Sequence, residues 1–166
     1  MGRSFFITTL GCPKNVADSR QMHRWLLREG YEPADSPYTA DYHLINSCSF
    51  IESAREETIQ TVLEGADIKQ EHSDQKLILV GCFTERYQAA VRDELPEVDF
   101  SFGTGLYHRT GEMLNEKFGP PALHDPLQPS VFSGMDYDGQ SYAPVKLSEG
   151  CDRKCAFCAI PSFRGS

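Results

Sequence analysis

Over the first 118 residues, short runs of β-branched and aromatic residues alternate with longer stretches in which apolar residues recur every three or four positions. A two-residue period alternating with a 3.6-residue period is the pattern of a Rossmann-like α/β domain, a parallel sheet with helices on both faces. The run SFFITTL at residues 4–10 reads as the first strand. Asp18 reads as the cap of the first helix, with Gln21 as its capping-box partner, Met22, Trp25 and Leu26 on the buried face and Gly30 as the stop. DYHLINS, residues 41–47, is the second strand. The next helix begins at Ser49 or Ser53, each with a glutamate three positions on (Glu52 or Glu56), and turns Ile59, Val62, Leu63 and Ala66 towards the sheet. KLILVG at 76–81 is a buried third strand, followed by a helix that Thr84 caps, that aligns Tyr87, Ala90 and Val91, and that stops before Pro96. VDFSF at 98–102 is the fourth strand, and Leu106, Thr110, Met113 and Leu114 mark the fourth helix. Gly103 and Gly105 lack the full dinucleotide-binding fingerprint and read as a plain turn.

Beyond residue 118 the pattern breaks. Residues 119–140 hold four prolines and no helical period, which is the composition of a linker, and SYAPVKLSEG at 141–150 reads as the first strand of a second domain. The expected organisation is an α/β domain at 1–118, a linker at 119–140 and the start of a further domain at 141–166.

Sixteen basic residues against twenty-four acidic ones give a net charge of −8, which disfavours a non-specific grip on nucleic acid and suits a basic protein partner. No apolar run approaches the ~18 residues of a membrane span, so no membrane partner is expected. The start lacks the small-residue cleavage site of a secretory signal, which points to the cytoplasm. Six cysteines in that setting argue for metal or redox use and against a disulfide framework.

The cysteines fall into two sets of three. Cys151, Cys155 and Cys158 occupy one short loop in the pattern C-x-x-x-C-x-x-C, a spacing that lets three thiolates hold three irons of a 4Fe-4S cluster and leaves the fourth iron open. Cys12, Cys48 and Cys82 are far apart, yet each follows one of the first three expected strands by one or two residues. In an open parallel sheet the strand carboxyl ends share one edge, so three thiols can converge there, and the helix starts beside them favour the thiolate. Two other readings stand beside this one: unpaired cysteine as a small buried apolar residue, and a structural zinc site, for which none of the three turns supplies a histidine.

The stretches TTLGCPKNVADS, INSCSFIESAREE, VGCFTERY and KLSEGCDRKCAFCAIPSFRG resemble the radical S-adenosylmethionine (SAM) methylthiotransferases, along essentially the whole chain. The resemblance implies that Cys12, Cys48 and Cys82 hold an auxiliary 4Fe-4S cluster for sulfur delivery. It implies that Cys151, Cys155 and Cys158 hold the cluster that cleaves SAM, with the ring of Phe157 shielding that cluster or contacting SAM, although simple packing is the more ordinary role of a loop aromatic. The motifs GCPKN and IPSFRG resemble the branch that methylthiolates the β-carbon of an aspartate in the decoding-centre small-subunit ribosomal protein. The other branch modifies tRNA adenosine and tends towards GCQMN and IPYTRG. The implied partners are that ribosomal protein or the ribosome, and an electron donor such as a flavodoxin or ferredoxin, with nucleic acid not expected as the direct substrate. A complete SAM barrel needs roughly 200 residues or more, so this chain is expected to carry only its first strand and cluster loop and to be inactive alone, and an isolated non-catalytic metal-binding module is a further alternative. Asn15 reads as a helix-start residue or as a donor to a cluster sulfur, Glu149 and Gly150 as shaping the loop, and Arg164 as a cation for an anion or for water.

Overall fold

The computed structural model describes residues 4–121, 144–153 and 155–165. Its elements are β1 (Ser4–Thr9), α1 (Pro13–Arg28), β2 (Glu32–Pro33), β3 (Tyr42–Ser47), α2 (Glu52–Glu71), β4 (Lys76–Gly81), α3 (Cys82–Arg86), α4 (Gln88–Glu94), β5 (Phe100–Phe102), a 3-10 helix (Thr104–Arg109), α5 (Thr110–Phe118) and α6 (Ile160–Arg164). Every strand pairing is parallel, and the sheet order is β2-β1-β3-β4-β5. This is a doubly wound order whose direction reverses between β1 and β3, the topological switch point at which such sheets bind their ligands.

Period-two alternation sends the strand side chains to two cores. On one face Phe5, Tyr42, Leu44, Ile78, Val80 and Phe102 meet Met22 and Leu26 of α1, Tyr107 and Leu114. On the other, Ile45, Leu77 and Leu79 meet Val62 and Ala66 of α2, Phe83 and Val91. Both faces of the sheet are thus covered, as the sequence pattern requires. No helix of the described residues is long and apolar enough to cross a membrane.

The strands fall close to their expected places, while the helix starts do not. α1 begins at Pro13 with Cys12 as its N-cap, and the expected cap Asp18 lies inside the helix, fully buried. α2 begins at Glu52 with Ile51 as N-cap; Ser49 instead donates to Cys82 O at 3.1 Å. α3 begins at Cys82, and Thr84 donates to Leu79 O at 3.3 Å. Asp18 and Ser49 are drawn into tertiary hydrogen bonds, and Thr84 turns back to the preceding strand. Ile59 and Leu63 are 40% and 44% exposed, because the buried stripe of α2 is Ala54, Thr58, Val62, Gly65 and Ala66. The small stripe brings helix and sheet together: a Cβ on Gly65 would stand 2.8 Å from Leu77 Cδ1. Residues 144–149 form no strand, since a lone extended segment needs a neighbour to complete its ladder. The expected linker lies, after residue 121, outside the described residues, as do 141–143.

His43 sits under α2, 3% exposed. Its Nε2 is 2.8 Å from Thr8 Oγ1, and its Nδ1 has no partner. Burial pushes its pKa down to about 4, so the folded chain holds the neutral ring. The stabilisation is complete above the unfolded value near 6.5 and is lost as pH falls through the interval down to 4, reaching about 3 kcal/mol there. Urea denaturation at neutral pH and at about pH 4 should show this loss, and His43→Gln should flatten it. In the same assay Leu79→Ala should cost about 2–5 kcal/mol and Leu63→Ala less than about 1.

Candidate metal centre

The parallel register sets the ends of β1, β3 and β4 level, with Thr9 opposite Asn46 and Ser47 opposite Gly81. Three turns therefore leave one edge of the sheet together, and each carries a cysteine. Cys12 is the exposed N-cap of α1, whereas Cys48 and Cys82 are 6% and 4% exposed. All three line one cavity of about 740 Å³, whose walls include Phe50, Ile51, Ala54, Ile160 and Phe163. Gly11 makes the approach of Cys48 possible. Its φ is +87°, and a Cβ there would stand 2.6 Å from Cys48 Cβ and 2.7 Å from its Sγ, a position closed to any other residue.

The backbone around the cysteines is held by buried polar groups. Thr58 of α2 receives the Cys48 N–H at 3.3 Å and donates to Cys48 O at 2.9 Å. Asn15, fully buried, donates from Nδ2 to Leu10 O at 2.7 Å and Ser47 O at 3.0 Å, tying the ends of β1 and β3 across the switch point. Its Oδ1 lies 4.0 Å from both Cys12 Sγ and Cys82 Sγ. Asn15 is therefore the strut of the site and does not cap the helix.

Arg164, read from sequence as a cation for an anion or for water, is 5% exposed and reaches into the same cavity, where it takes the first of those roles. It donates from Nε to Cys82 Sγ at 3.1 Å, from Nη2 to Asn15 Oδ1 at 2.5 Å and from Nη1 to Asp18 Oδ2 at 2.6 Å. Lys146 meets the other Asp18 oxygen at 2.5 Å and Glu149 at 2.7 Å, and Lys14 reaches Glu149 at 3.4 Å. Burial alone would lower the Arg164 pKa, but the Cys82 sulfur and Asp18 raise it, so the guanidinium stays charged. Burial pushes the Cys82 thiol up to about 11, against the opposing pull of Arg164. At Cys82 burial thus runs against the thiolate expected beside a helix start.

The second triad stands in the terminal loop. Cys151 and Cys158 are half-buried and Cys155 is exposed. The loop is closed at its base by the Cys151 N–H donating to Gly165 O at 2.9 Å and turned by the Cys158 N–H donating to Cys155 O at 3.1 Å. Gly150 has φ +68°, and a Cβ there would stand 2.2 Å from Gly165 O, so the base admits only glycine. Phe157 is 93% exposed, which overturns the packing role for its ring.

Among the described residues, no group of three or more His, Cys, Asp or Glu side chains is arranged to hold a metal ion. A zinc ion needs its ligand sulfurs within about 2.3 Å of one point. A 4Fe-4S cluster asks for something else, namely one thiolate per iron around a volume. Three cysteines lining one roomy cavity are a donor set of the kind a cluster takes.

The description "Uncharacterized protein family UPF0004" matches residues 4–103. A protein of Leptospira biflexa serovar Patoc named ribosomal protein uS12 methylthiotransferase RimO is 47% identical over 171 residues, spanning 98% of this chain and 38% of that protein. Proteins of the same name from Campylobacter fetus subsp. fetus and Geotalea uraniireducens are 41% and 39% identical. They span 98% and 96% of this chain, and 36% and 37% of their own length. The chain thus spans little more than a third of the relatives it matches, and the resemblance read from the cysteine motifs is borne out.

Peptide-mapped alkylation of the metal-free chain by iodoacetamide near pH 8 should label exposed Cys12 at least about tenfold faster than Cys82, since the thiolate is the reactive form. Equal rates would contradict the buried, protonated Cys82.

Proposed function

The chain belongs to the UPF0004 family, and from that premise we propose that it carries the two cysteine centres of a radical SAM methylthiotransferase acting on ribosomal protein uS12. The substrate is the β-carbon of an aspartate in that small-subunit protein, and the reaction belongs to the cytoplasm. The observation that carries the reading is the convergence of Cys12, Cys48 and Cys82, from three separate strand ends, on one cavity at the switch point.

Cys12, Cys48 and Cys82 would hold the auxiliary 4Fe-4S cluster, and Cys151, Cys155 and Cys158 the cluster that binds SAM. When bound, the latter supplies the electron for SAM cleavage and the former a site from which sulfur is delivered, while SAM also provides the methyl group. The chain's own residues have simpler tasks. Asn15 and Thr58 fix the turns that bear the first triad. Ala54, Ile160 and Phe163 give the cavity apolar walls that limit water. Phe157, in the second loop, is free to meet SAM. Residues 1–118 form the auxiliary-cluster domain in this reading, and 141–166 open the radical SAM domain. The electron comes from a flavodoxin- or ferredoxin-like donor.

Anaerobic reconstitution followed by iron and acid-labile sulfide analysis tests the two centres. About eight irons per chain are expected, falling to about four in Cys12→Ala and in Cys151→Ala. Zinc or no metal in place of iron would sink the reading. The substrate is tested by incubating the full-length protein with SAM, sulfide and a reductant beside uS12 or tRNA. Mass gain of one methylthio group in place of hydrogen is expected on uS12, and gain on tRNA alone would move the chain to the tRNA branch.

A further inference from the structure

Arg164 follows the second cysteine loop by six residues and yet makes its shortest hydrogen bonds to the first domain. Its contacts to Asp18, Asn15 and Cys82 Sγ are 2.6, 2.5 and 3.1 Å long, and Nη1 also reaches both Glu149 oxygens at 3.4 Å. The helix that bears it is held by a second, independent set of contacts. Thr104 Oγ1 donates to Phe163 O at 3.0 Å, and Phe163 is 2% exposed. The position of the guanidinium is thus fixed from both ends of the side chain. Around it stand Asp18 and Glu149 with Arg164, Lys146 and Lys14, and Glu57 also lines the cavity, so the guanidinium sits in a balanced set of charges and is itself the cation nearest the Cys82 sulfur.

We infer that Arg164 is a positioning residue joining the two cysteine triads: anchored on Asp18, it seats the Cys151–Cys158 loop at the rim of the first cavity and donates its Nε–H to the Cys82 sulfur, which makes a cluster held there easier to reduce. The inference rests on the reading that Cys12, Cys48 and Cys82 hold a 4Fe-4S cluster. Its physical basis is that an added electron resides partly on the sulfur ligands, where a hydrogen bond and a nearby cation stabilise it and raise the reduction potential. Partial exclusion of water from the cavity strengthens both effects. Arginine suits the task because one planar head presents separate N–H groups to a carboxylate, an amide oxygen and a sulfur, whereas lysine offers a single point charge.

The test uses the full-length protein with Cys151, Cys155 and Cys158 all changed to alanine, so that only the first triad can load, and compares this parent with its Arg164→Gln and Arg164→Lys versions. Iron and sulfide are counted, and the midpoint potential is followed by EPR through a mediated dithionite titration. The expected result is about four irons in each protein and a reduction equilibrium about tenfold less favourable in Arg164→Gln, equivalent to 59 mV for one electron, with a smaller fall in Arg164→Lys. Unchanged potentials with full iron loading would overturn the inference and leave the cluster reading standing. A parent that loads no iron would remove that reading and the inference with it. Should Arg164→Gln fail to fold or to load, Arg164→Lys decides alone: a lowered potential supports the hydrogen bond to Cys82, and an unchanged one refutes it. A residue that only stabilises the fold would not move the potential of a fully loaded centre.

Discussion

A carboxylate with no exposure to solvent stands on the core stripe of the first helix, and the arrangement of the remaining charged groups follows from it. Asp18 lies one turn before Met22 and two before Leu26, both fully buried, in a position where an apolar residue would ordinarily sit. An ionised group there is tolerable only with countercharge and hydrogen bonds, and removing the partner of such a pair costs about 3–5 kcal/mol. Arg164 and Lys146 supply the countercharge from the far end of the chain. One buried charge thereby selects where the terminal segment must lie, and the same guanidinium that answers it arrives beside a cysteine sulfur.

The sheet sets the other constraint. All-parallel pairing brings the carboxyl ends of β1, β3 and β4 to a common edge, and the reversal of strand order between β1 and β3 opens a crevice there. Turns at that edge must be tight. Gly11 and Gly81 take φ values of +87° and +102°, and a side chain on Gly81 would come within 2.8 Å of Ser47 O. The cysteines inherit their convergence from this backbone: Cys12 and Cys82 each follow a left-handed glycine directly, and Cys48 fills the space that Gly11 leaves. Asn15 then replaces the missing links between strand ends with side-chain hydrogen bonds.

Much of this was legible from the residues. Four of the five strands announce themselves by period and β-propensity, and β2 escapes notice because it has only two residues, one of them a proline on the sheet edge. The three strand-end cysteines could be grouped because parallel topology makes sequence-distant turns neighbours. Helix starts were misread for a shared reason. Capping rules treat Ser, Thr and Asp as local acceptors, whereas here Asp18 and Ser49 serve distant partners and Thr84 donates back to the preceding strand, and the helices start from Cys12, Ile51 and Gly81 without side-chain caps. In α2 the large apolar residues drew attention, but close packing favoured the small ones. For Arg164 the sequence offered an anion or water, but not which anion, since Asp18 and Asn15 lie 146 and 149 residues away and nothing local distinguishes a buried arginine from a solvated one.

The setting of Cys82 separates ligand chemistry from nucleophile chemistry. A catalytic thiol is normally exposed to its substrate and carries a lowered pKa, so that the thiolate stands ready at neutral pH. Cys82 has the opposite disposition: burial pushes it up to about 11, and Arg164 only partly offsets that cost. Such a sulfur is inert towards electrophiles until something replaces its proton. A metal does so directly, and the proton released on binding makes loading dependent on pH. Once the thiolate has formed, the features that hindered ionisation work in its favour, because apolar walls limit the access of water and a guanidinium already in place donates to the sulfur without reorganisation. In the proposed reading, then, the Cys82 sulfur is costly to ionise when empty and already has a hydrogen-bond donor in place when filled.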